Sequence, residues 1–315
     1  MAYSFIVEAL KTRLDKYLAE QLPSISRSQI QRDIEGGLVE VNGQPIAESK
    51  FVVRLSDKIV YRPRKNGSDR EIKPTNTPLK VLYNNHGLII IDKPAGLTVH
   101  PGAGFKGETL ASALLYHFKD IHVVGEDHRP GIVHRLDKDT SGVMLAARTP
   151  EMYEHLKDAF AERKIKKEYV ALVYGHVEKP YGLIEAPIGK SKHDFRKQTT
   201  KDPQDPKPAV TEYQVLEHLG EEGGVDKYTL LLVKLHTGRT HQIRVHLASI
   251  SHPLMGDELY GGMKVRLEHL HRQFLHAKKI EVRLPDGTWI EAESVLADDL
   301  RKVLVSLNSE VASNL

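Results

Sequence analysis

The sequence predicts an α+β protein with a small N-terminal domain and a larger domain built on a mixed, largely antiparallel sheet. Two short amphipathic helices and a few alternating segments fill the first 62 residues. A polar stretch rich in Pro, Thr and charged residues follows, and beyond it strands and helices lack the regular repeat of a doubly wound sheet. We therefore predict a domain at 1–62, a linker at 63–78 and a second domain at 79–315.

The N-terminal domain shows helix-start signals followed by a turn. A first helix is predicted at 12–22, where Thr12 and Asp15 form a capping-box pattern. Ser26 and Gln29 repeat that pattern at the start of a second helix, which a Gly-Gly pair ends. An Asn-Gly turn between alternating segments then predicts a small sheet that completes the unit.

Composition excludes several classes of protein. The chain has no cysteine, which excludes disulfides, thiolate metal sites and a cysteine nucleophile. Its 45 Lys+Arg against 42 Asp+Glu give a net charge of +3, which permits a polyanionic partner without requiring one. We find no export signal and no apolar run near the roughly 18 residues of a membrane helix, so we expect a cytoplasmic protein. No glycine-rich phosphate-binding motif follows a strand, so nucleotide cofactors lose their usual signature.

Four polar stretches of the larger domain each join a strand to an irregular turn, where functional side chains tend to lie. Asp137 is the central acidic residue among them. Taken alone, an aspartate beside an arginine is more often a structural ion pair than a catalyst. The stretches are "DKPAGLTVHP" (92–101), "HRLDKDTSG" (134–142), "KKEYVALVYG" (166–175) and "LHTGRTHQIRVHL" (235–247).

Together these stretches resemble the RluA-like pseudouridine synthases of the large-subunit ribosomal RNA type, across residues 79–300. Residues 12–62 resemble the S4 RNA-binding domain that one subgroup of that family carries. The resemblance implies a pseudouridine synthase fold with an S4-like α+β domain in front of it. It also implies isomerisation of specific uridines in structured RNA, and points to large-subunit ribosomal RNA or an assembly intermediate as the partner. Transfer RNA stays open as an alternative.

The resemblance also assigns roles by position. Asp137 corresponds to the catalytic aspartate, Arg135 to the arginine that replaces the flipped base, and Tyr169 to the tyrosine that stacks on the target uracil. Arg239 corresponds to the basic residue that pairs with the aspartate. Further RNA contacts are nominated at Arg13, Arg27 and Arg32 in the S4-like domain and at Lys93, Lys167, Arg196 and Arg244 in the larger one.

The reaction implied by the resemblance needs few groups. Making pseudouridine breaks the N1–C1′ bond and joins C5 to C1′, and only the proton of C5 leaves, so no metal, redox cofactor or nucleotide is required. A carboxylate can attack C1′ or remove the C2′ proton, and the residues do not decide between these routes. An adjacent arginine favours the ionised carboxylate. The stacked base must also be extruded, at a cost of a few kcal/mol.

Two other functions fit parts of the sequence. A metal hydrolase is suggested by the 17 histidines, but His241 and His246 lie five residues apart on a predicted helix and point in different directions. A non-catalytic RNA-binding protein would use the same basic surfaces, and only turnover separates it from an enzyme. With no heptad pattern in the sequence, we expect a monomer.

Overall fold

The protein is described by a computed structural model that covers residues 2–8, 11–22, 25, 27–63, 72–101, 107–126, 129–220 and 227–315. It divides into two compact units, Met1–Glu71 and Ile72–Leu315. Half of the predicted linker, 64–71, lies outside the described residues.

The C-terminal half of the predicted linker belongs to the second unit, so the linker was predicted too long. Ile72 packs against the core of that unit. The backbone N–H of Thr75 donates to the carbonyl of Ser112 at 3.1 Å, and the two hydroxyls lie 2.7 Å apart. These contacts fix a segment that composition alone marks as linker.

The first unit is a small α+β fold around its own apolar core. Strands β1, β6, β3 and β4 form one antiparallel sheet in that order, and β2 pairs with β5. The helices contribute Leu14, Leu18, Ile30 and Ile34, all fully buried, at the 3- and 4-residue spacing of one helix face. The elements are β1 Tyr3–Ile6, β2 Lys11–Arg13, α1 Leu14–Gln21, α2 Arg27–Glu35, β3 Val39–Val41, β4 Gln44–Ile46, β5 Val52–Arg54 and β6 Lys58–Tyr61.

The predicted capping box at the first helix is wrong. Thr12 lies in β2 opposite Val53, and this pairing delays the start of α1 to Leu14. Asp15 is fully buried and accepts hydrogen bonds from Arg13, Arg27 and Gln31 instead of capping the helix. Ser26 and the side chain of Gln29, the second predicted capping box, lie outside the described residues.

The second unit contains a mixed sheet of nine strands among the described residues. Its order is β13-β17-β18-β12-β19-β11-β8-β7, with β20 paired to β19, and only β11 and β19 run parallel. The predicted fold class is therefore confirmed. The strands are β7 Lys80–Asn85, β8 Leu88–Lys93, β9 Gly125–Glu126, β10 Arg129–Pro130, β11 Ser141–Ala147, β12 Lys166–Tyr174, β13 Tyr181–Glu185, β14 Ile188–Lys190, β15 Gln198–Thr199, β16 Gln204–Lys207, β17 Val210–Leu219, β18 Tyr228–Leu235, β19 Leu275–Arg283 and β20 Trp289–Glu293.

Burial accounts for the apolar sequences of the central strands. Every residue of β11 is buried, and so are five of the six in β8, because these strands are covered on both faces. Thr149 caps α4 (Pro150–Ala161) by accepting the backbone N–H of Met152 at 3.3 Å, with Pro150 at the first helical position. Within the described ranges, no helix has the length and apolarity needed to span a membrane. The helices are α3 Leu110–His117, α4 Pro150–Ala161, α5 Gln242–Ser249, α6 Glu258–Gly261 and α7 Asp298–Ser306, with 3-10 turns at Lys119–Val123 and Gly262–Val265.

Candidate active site

Asp137 lies on the loop between β10 and β11, at the wall of a cleft of about 880 Å³ in the second unit. A cleft of this size is typical of a small-ligand site. Five further predicted residues line it as well: Arg135, Lys167, Tyr169, Arg239 and Arg244. The structure thus brings together side chains from the stretches 134–142, 166–175 and 235–247.

Lys93 ties the Asp137 loop to the end of β8. Its fully buried ammonium donates to the carbonyls of Pro94 at 2.8 Å, Leu97 at 2.9 Å and Lys138 at 2.9 Å. Burial lowers the pKa of Lys93 to about 8, although the nearby Asp139 opposes this. The prediction of an RNA contact at Lys93 is wrong, because its ammonium is buried and donates to the carbonyls that hold the loop.

Arg272 holds the same loop from the β19 side. Its guanidinium donates to the carbonyl of Asp139 at 2.9 Å and to the hydroxyl of Ser141 at 3.2 Å, and it pairs with Asp299. The hydroxyls of Thr140 and Ser141, at the start of β11, bond to the side chains of Gln273, His276 and Arg272. Both ends of the loop are fixed, which gives Asp137 a defined position.

Gly142 lets β11 approach β19 closely at the base of this loop. Its φ is +113°, and a Cβ there would lie 2.1 Å from the carbonyl oxygen of Ala277. No other residue type fits this backbone and this contact.

Arg244, on α5, bridges two carboxylates. Its Nη1 donates to Oδ2 of Asp137 at 3.0 Å, while Nε and Nη2 donate to the two oxygens of Asp257 at 2.7 and 2.9 Å. Burial opposes the charge of Arg244, but hydrogen bonds to Asp257 and the charges of both carboxylates outweigh it and raise the pKa of Arg244. The guanidinium therefore stays charged, and only one oxygen of Asp137 remains for other partners.

This geometry corrects two predictions. Arg239 does not pair with Asp137, because its side chain is exposed at the cleft and its Nε donates to the carbonyl of Pro208 at 3.1 Å. The partner is Arg244, which was predicted to contact RNA but is only 8% exposed. Arg239 precedes α5 and Arg244 lies within its first two turns, and only the docking of the helix decides which arginine reaches the loop.

Tyr169 and Arg135 both line the cleft that contains Asp137. Tyr169 on β12 is 6% exposed, and burial, aided by the charge of Asp137, raises its pKa, so the phenol stays neutral. Arg135 is exposed and has no hydrogen bond to any described residue. Its guanidinium is therefore available to an incoming ligand.

Lys167 adds a second cation to the cleft. Its ammonium lies 5.6 Å from the ring centre of Phe160, within the range of a cation–π contact. Burial lowers the pKa of Lys167 to about 8, so it carries its charge at pH 7.

The other predicted RNA contacts are on the surface. Arg13 and Arg27 both pair with Asp15 at 2.9 Å and remain about half exposed, and Arg32 is exposed. In the second unit, Arg196 lies on the hairpin between β14 and β15, forks onto the carboxylate of Asp194 and does not line the cleft. No structural contact tests these RNA roles, which stay predictions.

His241, Asp257 and Tyr260 belong to the site, although the sequence did not reveal them as such. His241 was weighed only as a metal ligand, yet its Nε2 lies 3.9 Å from Oδ1 of Asp137 and its Nδ1 lies 2.8 Å from the Tyr260 hydroxyl. His241 lies within the stretch 235–247 that the sequence singles out, and the polar cluster "GDELYGG" (256–262) is the signal for Asp257 and Tyr260. Among the described residues, no group of three or more acidic, His or Cys side chains is arranged to hold a metal ion.

Comparison with known proteins identifies relatives over most of the chain. The family model described as RNA pseudouridylate synthase matches residues 87–249, and the S4 domain model matches 12–59. An uncharacterized RNA pseudouridine synthase of Aquifex aeolicus is 44% identical over 82% of this chain and 79% of its own. A ribosomal large subunit pseudouridine synthase D of Nitrosomonas europaea is 41% identical over 94% of this chain and 85% of its own.

A solved structure shows the same fold. The human RNA pseudouridylate synthase domain containing 1 superposes with a TM-score of 0.56 at 25% identity, covering 78% of this chain and 98% of that one. These matches confirm the resemblance inferred from the motifs.

Proposed function

The chain belongs to the RNA pseudouridylate synthase family, and from this premise we propose that it isomerises uridines of large-subunit ribosomal RNA with Asp137 as its one catalytic side chain and without a cofactor. The observation that carries the proposal is the hydrogen bond from Arg244 to Oδ2 of Asp137 in the cleft. This hydrogen bond supports a carboxylate in which Arg244 holds one oxygen, Oδ2, and the other oxygen, Oδ1, is open to a substrate.

The proposed chemistry follows from that arrangement. Oδ1 of Asp137 acts at the ribose, either by attack on C1′ or by removal of the C2′ proton, and the N1–C1′ bond breaks with its electron pair on the uracil. The uracil turns and C5 bonds to C1′; on the first route the bond from C1′ to Oδ1 breaks in this step, and on the second C2′ regains its proton. C5 then loses its proton to solvent and N1 takes one up, so the product is an isomer of the substrate.

The neighbouring side chains support the handling of the base. The neutral, buried Tyr169 offers an aromatic face on which a detached uracil can turn without a fixed hydrogen-bond pattern. Arg135, exposed and without a partner among the described residues, can fill the gap that the extruded base leaves. Lys167 and Arg239 add positive charge that favours phosphates at the cleft.

The choice of ribosomal RNA rests on two observations. The S4 domain adds a second RNA-binding unit, which suits a structured RNA larger than one stem-loop. A relative that matches over 94% of this chain carries the name ribosomal large subunit pseudouridine synthase.

The test uses transcripts of large-subunit ribosomal RNA, small-subunit ribosomal RNA and mixed transfer RNA, each labelled with tritium at uracil C5. The purified protein is incubated with each, without added metal, and the tritium released to water is counted. We expect release from the large-subunit transcript alone. Release only from transfer RNA would overturn the choice of substrate, and no release from any of the three would overturn the proposed function.

A further inference from the structure

The oxygen of Asp137 that Arg244 leaves free faces a histidine. Oδ1 lies 3.9 Å from Nε2 of His241. This distance is too long for a direct hydrogen bond, but an oxygen atom beside the pair can lie about 2.8 Å from both groups and bridge them. His241 also has a φ of +56°, a conformation that is uncommon outside glycine and that clusters at functional sites.

The hydrogen bonds around Tyr260 fix which nitrogen of His241 carries the hydrogen. The backbone N–H of Gln198 donates to the Tyr260 hydroxyl at 2.9 Å. Among the described residues, the one acceptor within reach of the hydrogen of that hydroxyl is Nδ1 of His241 at 2.8 Å. With the Tyr260 hydroxyl as the donor of this pair, Nδ1 accepts, and a neutral imidazole then carries its hydrogen on Nε2.

The protonation of both rings agrees with this assignment. Burial lowers the pKa of His241, and the opposing charge of Asp137 is the smaller effect, so the imidazole is neutral at pH 7. Burial raises the pKa of Tyr260 to about 12, so its hydroxyl keeps the hydrogen that it donates.

A group that bridges this gap must accept from Nε2–H on one side and donate to a carboxylate on the other. A hydroxyl does both. Inside an RNA chain the O3′ and O5′ atoms are esterified, so the 2′-hydroxyl is the one free hydroxyl of each ribose. On either route Asp137 acts at C1′ or C2′, and the 2′-oxygen is bonded to C2′.

We propose that the 2′-hydroxyl of the target nucleotide bridges His241 and Asp137, accepting from Nε2–H and donating to Oδ1, so that His241 selects a ribonucleotide over a deoxyribonucleotide. Tyr260 is the positioning residue that fixes the imidazole tautomer. The inference rests on the proposed role of Asp137. It extends that role from catalysis to recognition of the sugar, since the 2′-hydroxyl is the group by which proteins tell RNA from DNA.

The test is a double-mutant cycle in which one change is made in the enzyme and the other in the substrate. An RNA fragment that contains the modified uridine is made in two forms, which differ only in a 2′-hydroxyl or a 2′-deoxy at that nucleotide. Wild type, His241→Ala and His241→Gln are compared by single-turnover rate and by dissociation constant with both forms. Because binding is measured for every pair, the cycle closes even where the deoxy substrate is not turned over.

We expect His241→Ala to weaken binding of the ribose form about tenfold, as loss of one hydrogen bond would, and to change binding of the deoxy form less than twofold. His241→Gln keeps an N–H donor near the position of Nε2 and should recover most of the loss. Tyr260→Phe keeps the ring that lies 5.1 Å from the Arg244 guanidinium but removes the hydroxyl, and should show a smaller loss on the ribose form alone.

Equal losses on the two forms would overturn the inference, because a water molecule or a purely structural role affects both alike. That result is distinct from failure of the proposed function, in which wild type would not turn over the ribose form at all.

Discussion

Replacing Arg244 with methionine tests the structural assignment of the partner of Asp137. Methionine keeps the length and most of the apolar volume of the side chain but removes three hydrogen bonds to two carboxylates. Asp257 would remain as a buried carboxylate, 2% exposed, without its guanidinium. The second unit should lose both stability and activity.

The magnitude follows from the burial of the pair. Removing one partner of a buried ion pair costs about 3–5 kcal/mol, because the other charge is left without compensation. A domain the size of the second unit shifts its Tm by roughly 2–4 °C per kcal/mol, so we expect Tm to fall by about 6–20 °C. The Asp137 loop also loses its contact to α5, so turnover should fall more than RNA affinity.

Thermal unfolding followed by circular dichroism, together with single-turnover tritium release, measures both effects. Arg239→Met is the matched control, since Arg239 is exposed and bonds only to the carbonyl of Pro208 among the described side-chain contacts. We expect Arg239→Met to change the free energy of unfolding by less than about 0.5 kcal/mol. If Arg244→Met were as stable as wild type, or if Arg239→Met lowered the free energy of unfolding more than Arg244→Met does, the structural pairing would be refuted.

Three further predictions concern the cleft and its supports. Because the pKa of Lys167 is lowered to about 8, its charge is present at pH 7 and lost by pH 9. RNA affinity, measured by filter binding, should therefore weaken between pH 7 and pH 9 in wild type and weaken less in Lys167→Arg. Identical pH profiles for the two proteins would contradict an RNA contact at Lys167. Gly142→Ala places a Cβ 2.1 Å from the Ala277 carbonyl oxygen, so urea denaturation should show a loss of about 3–5 kcal/mol, and a loss under 1 kcal/mol would contradict the close approach. Lys93→Met removes the ammonium from three carbonyls, of which, among the described residues, only that of Lys138 keeps another donor, the backbone N–H of Gly96. We expect a cost of about 2–4 kcal/mol and lower turnover at unchanged RNA affinity, whereas weaker RNA binding alone would restore the contact first predicted for Lys93.

The parts of the fold that sequence predicts are those set by local chemistry. The apolar run 143–147 of β11 and the start of α4 at Thr149 and Pro150 each depend on a few neighbouring residues. The first helix shows the limit of such signals. Thr12 and Asp15 match a capping box, but Thr12 pairs in β2 with β5. Asp15 instead accepts from its neighbour Arg13 and from Arg27 and Gln31 of α2.

The site was predictable only as far as its motifs reach. The stretch "HRLDKDTSG" identifies Asp137, and its order with the other motifs carries the family resemblance. The choice between Arg239 and Arg244 depends on how α5 docks against the loop, and no local pattern encodes that. The buried position of Lys93 and the contact of His241 with Tyr260 likewise arise from residues far apart in sequence.

The most direct test of the central claim compares two aspartates of one loop. Wild type, Asp137→Asn and Asp139→Asn are incubated in excess over C5-tritiated large-subunit transcript, with chelator present, and released tritium and RNA binding are measured together. We predict release by wild type and by Asp139→Asn, and none by Asp137→Asn despite RNA affinity near that of wild type. Turnover by Asp137→Asn, or loss of wild-type turnover in chelator, would contradict catalysis by a single carboxylate without a metal.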